Sequence, residues 1–439
     1  MKRIFSSYAY GSGPRAGCWW DETAALPRFP SLAGDVTCDV AIVGAGFTGL
    51  SAALHLARQG AQVVVIDALT VGWGASGRNG GFCCLGGSMR SDVGLDRRFG
   101  VAARREWRCA ERRAVEGVDA LLSELALDVD RHSAGETSLA HRPRDFTGLR
   151  DEVQSIRENY DVEPDLLSAS DLKSAGLCGP FHGGMTVPIG FGLNPRKLLA
   201  GLVQACVALG VLIYERSPVI RVGVGRADTA HGGVRASQTI IATNGYSSED
   251  VPAWMAARYM PAQSSVIVTR PLSVDELDDQ GWNSDQMAYD TRHLLHYFRL
   301  MPDRRFLFGM RGGLRASPQG EQAARRAVVR DFNRMFPAWS RVDVTHGWSG
   351  LVCLARDRVP YVGEVPTMPG VFAGFAYHGN GVAMGMHCGK LLAQIASGDS
   401  TGKVPAVMAQ PAARFPFGSL RRIVMPGIYA AFKAMDALP

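Results

Sequence analysis

Gly44, Gly46 and Gly49 stand in the spacing GxGxxG, which carries chemistry only when strand, helix and acid surround it. All three do here. The apolar run Val40 to Val43 precedes the glycines, as a buried parallel strand does. Phe47 and Thr48 open a stretch with Leu50, Ala53, Leu54 and Ala57 on one helical face, ended by Gly60. A second run, Val63 to Ile66, delivers Asp67 roughly twenty residues beyond the glycines. This order predicts a βαβ dinucleotide-binding unit. Gly44 permits the tight turn, Gly46 lets backbone N–H groups approach a pyrophosphate, and Gly49 lets helix and strand pack closely. The helix N-terminus holds the negative charge. Asp67 is expected to accept hydrogen bonds from a ribose diol, and its charge repels a 2′-phosphate.

A second glycine-rich stretch follows, Gly72-Trp73-Gly74-Ala75-Ser76-Gly77-Arg78-Asn79-Gly80-Gly81. It is a run of backbone donors with one cation, rich in residues that turn the chain. Such a loop can wrap a phosphate or cover a flat ring. Composition alone also allows a plain surface loop.

Taken together, DVAIVGAGFTGLSAALHLA and GWGASGRNGG resemble the FAD-dependent amine oxidases of the D-amino-acid oxidase type, and most of all their gamma-glutamylputrescine oxidase branch. Further pieces agree in order. Val219 to Arg221 and Ile240 to Ser247, with Thr243, Asn244 and Gly245, resemble adenine-side strands. Tyr297 to Gly309 resembles the substrate-domain strands beside the flavin. Arg356 to Gly363 and Gly374 to Gly385 resemble the closing flavin segment.

The resemblance implies FAD, bound non-covalently, and oxidation of a C–N bond in a small amine or N-substituted amino acid. Hydride passes to the flavin, the imine is hydrolysed, and oxygen is the expected acceptor. Two alternatives stay open: a dehydrogenase passing electrons to quinone or another carrier, and a non-catalytic FAD-binding subunit. Charge growing at the pyrimidine end of a reduced flavin needs donors or a positive dipole. His378, Gly379, Asn380, Gly381 and Val382, at a helix start, are expected to supply them. Tyr297, Arg311 and His378 are the expected catalytic or substrate-contacting residues, with His296 and Arg299 beside them. An arginine suits a carboxylate bidentately. The residues themselves also allow Arg299 and Arg311 to be solvated strand-end charges, and Tyr297 to be core.

This chain departs from the resembling enzymes in places. The branch typically reads Tyr-Ser-Gly-His-Gly where Tyr377-His378-Gly379-Asn380-Gly381 stands here. The similar sarcosine oxidases carry lysine after this loop and on the strand matching Phe306-Leu307-Phe308; here the first position is Ala383. Gly350 stands where those oxidases bear a flavin-linking cysteine.

Composition narrows the classes. The chain has 439 residues, a net charge of +6 and only six lysines, none between Val251 and Arg341. The basic residues are scattered without an aromatic stripe, which argues against nucleic acid. Nine cysteines occur without a CxxC pair, so metal-ligand spacing is absent and reduced thiols in a cytoplasmic protein are expected. The N-terminus lacks the apolar core of a signal peptide.

The expected fold is α/β: a Rossmann-like FAD-binding domain with a second, antiparallel-sheet substrate domain. Residues 1–35 form an extension that wraps the first domain. Residues 36–85, 190–250 and 340–400 build the FAD-binding domain. Residues 86–189 and 251–339 build the substrate domain. The tail, 401–439, mixes Arg421, Arg422 and Lys433 with apolar residues; it is expected to pack as a surface helix, with peripheral membrane contact as the alternative. The expected partner is a small amine or amino acid, and oligomeric state is left open.

Overall fold

Val40, Ala41, Ile42 and Val43 are all buried, on both faces of the strand Val36–Val43. Burial on both faces is what a central parallel strand requires. The strand pairs in parallel with Gly232–Ile241 on one side and Val63–Ile66 on the other. Leu212–Tyr214 extends the sheet past Val63–Ile66, and Val371–Phe375 extends it past Gly232–Ile241, both in parallel. Tyr361–Glu364 closes that edge antiparallel. The helices Phe47–Arg58, Pro195–Ala208 and Ala383–Ala396 pack their apolar faces into one core with the sheet. This computed structural model describes residues 1–399 and 403–438.

A second sheet stands across from the first. Its strands run in the order Val344–Leu354, Met260–Pro271, Arg305–Arg311, His296–Leu300, Met287–Asp290, Glu136–Leu139, Gly183–Val187, Asp165–Ser168. All neighbours are antiparallel except Met287–Asp290 with Glu136–Leu139. Alternation along the strands divides its faces. Phe298, Phe306 and Phe308 pack behind the sheet with Val328, Phe332 and Met335 of the helix Pro318–Met335. Tyr297, Gly309 and Arg311 therefore turn to the other face, toward the first layer. An α/β chain with a second, largely antiparallel sheet is the architecture expected from the sequence.

Two segments pack elsewhere than the sequence suggests, and a third reaches beyond the first domain. Val344–Leu354, expected with the FAD-binding residues 340–400, pairs with Met260–Pro271 along nearly its whole length and belongs to the second sheet. The helix Val101–Glu124, expected within substrate residues 86–189, instead joins the nucleotide core, because Trp107, Ala114, Val118, Leu121 and Leu122 pack there. Residues 1–35 touch both layers. Arg15 donates to the carbonyls of Gly72 and Trp73 in the glycine loop, while Gly17 accepts from the Gly347 N–H at 3.1 Å.

Positions 401, 402 and 439 of the expected tail, and position 400 before it, lie outside the described residues. The described tail spans both layers: Val407 and Met408 pack into the nucleotide core, while the last helix, Met425–Ala437, docks on the second layer. Asp436 accepts from the N–H groups of His293 and Leu294 at 2.9 and 3.2 Å, and Arg142 donates to the Met435 carbonyl at 2.6 Å. Phe417, Leu420 and Ile423 remain exposed. No helix among the described residues is long and apolar enough to cross a membrane.

Candidate functional site

Two cavities meet between the layers. The first, about 1350 Å³ with its open mouth, begins at Val43, Gly44, Ile66 and Asp67. These are the C-terminal ends of parallel strands, where doubly wound sheets hold ligands. The second, about 1120 Å³, lies against the second sheet. Ala75, Asn79, Leu351, Val352, Gly379 and Val382 line both, so the cavities communicate.

At the nucleotide end Gly44 turns the chain at φ +111°, a left-handed value that suits glycine. Gly46 lines the cavity, and a Cβ there would stand 2.8 Å from Ser76 Oγ. Ser76 Oγ accepts from the Phe47 N–H at 2.9 Å, so the two glycine stretches are tied across the helix start. Asp67 accepts from the N–H groups of Ala45 and Leu69, both at 2.8 Å, and still lines the cavity. Burial raises its pKa against those two bonds. Thr48, Gly74, Val219, Thr243 and Asn244 line the same space.

Four residues expected to bind the cofactor do not line either cavity: Gly49, Gly77, Gly81 and Gly245. Each sits where backbone comes close behind the wall, and a Cβ would stand 1.9 Å from Gly44 O, 2.3 Å from Gly72 O, 2.0 Å from Leu193 O and 3.0 Å from Leu351 O respectively. They let the backbone close up behind the cavity wall.

The loop at the junction is held rigid. Asn79 donates to the Ser76 carbonyl and accepts from the Gly81 N–H, each at 2.8 Å. Arg78 is buried, with Nε on the Trp73 carbonyl at 2.9 Å and Nη1 on the Ser349 carbonyl at 3.2 Å. Its Nη2 is buried without a partner among the described residues. Gly379, Asn380, Gly381 and Val382 lead into the helix Ala383–Ala396 at the same junction. An unpaired cation, a glycine cradle and a helix N-terminus fit an anionic dinucleotide with a flat ring.

The ring end is lined by Gly80, Phe82, Cys84, Glu136, Ser264, Tyr289, Tyr297 and Arg311, among others. Tyr297 OH meets Ser264 Oγ at 2.9 Å, and its ring meets Phe82 edge-on at 5.7 Å. Glycine at 309 lets the tyrosine lie flat across the sheet, since a Cβ there would stand 2.1 Å from the ring. Arg311 donates from Nη2 to the His378 carbonyl at 3.0 Å. Burial lowers its pKa, yet a guanidinium stays cationic. It is not a solvated strand-end charge. Burial pushes the Cys84 thiol well above its ordinary range.

His378 is corrected. Its side chain is buried, with Nδ1 on the Gly87 carbonyl at 2.8 Å and Nε2 accepting the Ala355 N–H at 3.1 Å. Both nitrogens are committed to backbone, and burial lowers its pKa to about 4. It locks the closing loop as a neutral ring and has no nitrogen to offer a substrate. His378 still lines the first cavity, whereas His296 and Arg299 line neither. His296 points behind the sheet to Asp290 at 2.7 Å. Arg299 is buried against His132 and the Leu193 carbonyl at 2.6 and 2.7 Å.

Sequence reasoning missed several participants. Tyr377 shares a hydroxyl hydrogen bond of 2.9 Å beneath the cavity with Thr48, which the sequence did place at the cofactor. Trp20 Nε1 donates to the Asn79 carbonyl at 2.8 Å. Glu136 and Tyr289 line the ring end, and only strand pairing across the second sheet brings them there.

Fold and site together define an enzyme that holds a dinucleotide in one cavity and presents its ring end to a second. The model of the FAD dependent oxidoreductase family, DAO, matches residues 39–395, and the chain belongs to that family. It is 32% identical to a probable oxidoreductase, OrdL, of Rhizobium meliloti over 87% of this chain and 89% of that one. It is 30% identical to the gamma-glutamylputrescine oxidoreductase of Escherichia coli over 93% of this chain and 94% of that one. Among solved structures, glycine oxidase from Geobacillus kaustophilus superimposes with a TM-score of 0.69 at 20% identity, covering 85% of this chain and 98% of that one. Iminodiacetate oxidase from Chelativorans gives the same TM-score, 0.69, at 20% identity, covering 85% and 100%. FAD is accordingly the cofactor, and the residues present fit it.

Proposed function

We propose that this enzyme oxidises a C–N bond of a small amine or N-substituted amino acid, leaving an imine that water hydrolyses. The observation that carries the reading is Arg311, a half-buried cation facing the ring-end cavity beside the aromatic walls Tyr297, Phe82 and Tyr289. Bound FAD supplies the acceptor for the hydrogen and electron pair that leave the substrate carbon. The chain does the rest. Gly46 and the start of the helix Phe47–Arg58 hold the pyrophosphate, and Asp67 the ribose. Arg78, with its free Nη2, and the turn Gly379-Asn380-Gly381 answer negative charge at the ring. Arg311 retains donors beyond the one committed to His378 and can grip a carboxylate. Tyr297, anchored by Ser264, orients the substrate by contact.

The printed names of gamma-glutamylputrescine oxidoreductase, glycine oxidase and iminodiacetate oxidase support a substrate with carbon–nitrogen chemistry. Gly350 at the ring end supports non-covalent FAD. Nine cysteines, all free thiols, support a cytoplasmic setting. Oxygen is the acceptor in this reading. A carrier such as quinone is the second reading, favoured by Ala383 and by the stretch from Val251 to Arg341 that holds no lysine. Aerobic turnover with polyamines, gamma-glutamyl amines, sarcosine and small amino acids tests both. Aldehyde or oxo-acid with equimolar peroxide supports the first, and product only with an added quinone supports the second. No product from any of them overturns the reading.

A further inference from the structure

Glu136 is the one carboxylate among the residues that line the ring-end cavity. Gly135 before it turns at φ +89°, and Glu136 then enters the second sheet between Met287 and Val187. Leu139 packs in the apolar core behind the sheet. Strand alternation therefore puts Glu136 on the cavity side. Tyr289 and Tyr297, a directly opposed cross-strand pair, stand beside it.

Fully buried carboxylates of this chain, by contrast, have partners. Glu111 meets Arg108 at 2.8 Å, Asp290 meets His296 at 2.7 Å, and Glu215 accepts from the Val71 N–H at 2.9 Å. Glu136 has no ion-pair partner among the described residues. The groups that face it are the Cys84 thiol, whose sulfur accepts from Asn380 Nδ2 at 3.3 Å, and Arg311. Tyr289 lies alongside, with Glu152 approaching that tyrosine from the helix Pro143–Tyr160. An acid kept unpaired at the wall of an aromatic cavity, across from a half-buried arginine, leaves one negative and one positive pole. A molecule carrying an ammonium and a carboxylate complements both.

Resting on the reading that this site takes amines, we propose that Glu136 receives the substrate's ammonium group, pairs with it and takes one of its protons. The N–H bond breaks and the Glu136 O–H bond forms. The pair RNH3⁺ and carboxylate becomes RNH2 and carboxylic acid, and no electrons are transferred. The product is the neutral amine, the form from which a hydride can leave. Burial raises the carboxyl pKa to about 7, while the Cys84 hydrogen bond and Arg311 hold it back from rising further. The empty site is thus half protonated near neutral pH, the condition that suits a general base. In the complex the amine and Glu136 together hold one transferable proton, whether as ammonium and carboxylate or as amine and acid, so binding an ammonium at pH 7 expels the fraction that Glu136 carried before.

The test is calorimetry on the oxidised holoenzyme at pH 7, in phosphate and in Tris. The probes are 2-aminoisobutyrate, which has no α-hydrogen to lose, and isobutyrate, its counterpart without the amine. Wild type is expected to release about half a proton with 2-aminoisobutyrate and none with isobutyrate. Glu136→Gln should bind isobutyrate as wild type does, bind 2-aminoisobutyrate roughly tenfold or more weakly, and release no proton. Glu136→Asp should retain FAD and restore part of the release. Equal affinities for 2-aminoisobutyrate in wild type and Glu136→Gln, or no proton release in wild type, would overturn the proposal. Anaerobic reduction by an amine separates the two levels. Flavin that no amine reduces sinks the amine-oxidising reading, whereas flavin reduced with the same pH profile in wild type and Glu136→Gln sinks the role of Glu136 alone.

Discussion

The guanidinium of Arg311 donates to the carbonyl oxygen of His378 at 3.0 Å, joining the substrate sheet to the turn that closes the nucleotide cavity. A cavity arginine is thereby aimed by the loop at the junction of the two cavities. Arg311→Lys keeps a charge but loses the planar fork. It should leave FAD content unchanged and weaken a carboxylate-bearing substrate or competitive inhibitor about 10- to 100-fold, the span of a lost charge-assisted hydrogen bond. Steady-state KM and inhibitor titration measure it, and an unchanged KM would place the carboxylate elsewhere.

Gly46→Val should yield folded protein without FAD. Even a Cβ meets Ser76 Oγ at 2.8 Å, and a larger side chain occupies the space through which pyrophosphate approaches the backbone. Circular dichroism reports the fold and the absorbance ratio at 450 and 280 nm reports flavin. A fully yellow variant would move the nucleotide from this loop.

Acid should destabilise the enzyme through its buried neutral histidines. Burial holds His378 at about 4, as it does His132 and His387. A folded pKa below the ordinary 6.5 means that the unfolded chain binds the proton first as pH falls. Stability is therefore full above pH 6.5 and is lost toward pH 4, by about 2 kcal/mol at pH 5 for one such histidine. The melting temperature of His378→Gln should fall less steeply between pH 7 and 5 than that of wild type. Parallel slopes would show that His378 is protonated in the fold.

Leu307→Lys should destabilise without speeding reoxidation by oxygen. Sequence matching suggests this strand position as a site for a flavin-side ammonium. Leu307 is instead fully buried with Trp20, Val266, Val268, Met301 and Trp348, and lines neither cavity. An unpaired ammonium there costs about 3 kcal/mol or more. Thermal denaturation and stopped-flow mixing of reduced enzyme with oxygen measure the two effects. Accelerated reoxidation at undiminished stability would put Leu307 beside the ring.

The nucleotide half of the site was legible because its signals are local. Gly44, Gly46 and Asp67 act within one strand-helix-strand unit, so spacing alone places them. The substrate half depends on pairings far apart in sequence. Residue type on neighbouring strands suggested Tyr297 and Arg311, but their common face depends on a strand register that spacing does not reveal. Glu136 was invisible because it reaches the cavity only through parallel pairing with Met287–Asp290. His378 and Arg299 were misread for the same reason. Their partners, Gly87, Ala355, His132 and Leu193, come from other segments, and a polar side chain among backbone acceptors has no signature in its own neighbourhood.

Anaerobic titration of the purified yellow protein with a panel of amines tests the central claim most directly. The panel should span polyamines, gamma-glutamyl amines, sarcosine and other N-substituted glycines, and D- and L-amino acids, with flavin absorbance followed to completion. At least one amine is expected to bleach the flavin stoichiometrically and to appear as an aldehyde or oxo-acid, while its carboxylate counterpart without nitrogen leaves the spectrum oxidised. Flavin that stays oxidised with every amine, yet is reduced by dithionite, would contradict oxidation of a C–N bond at this site.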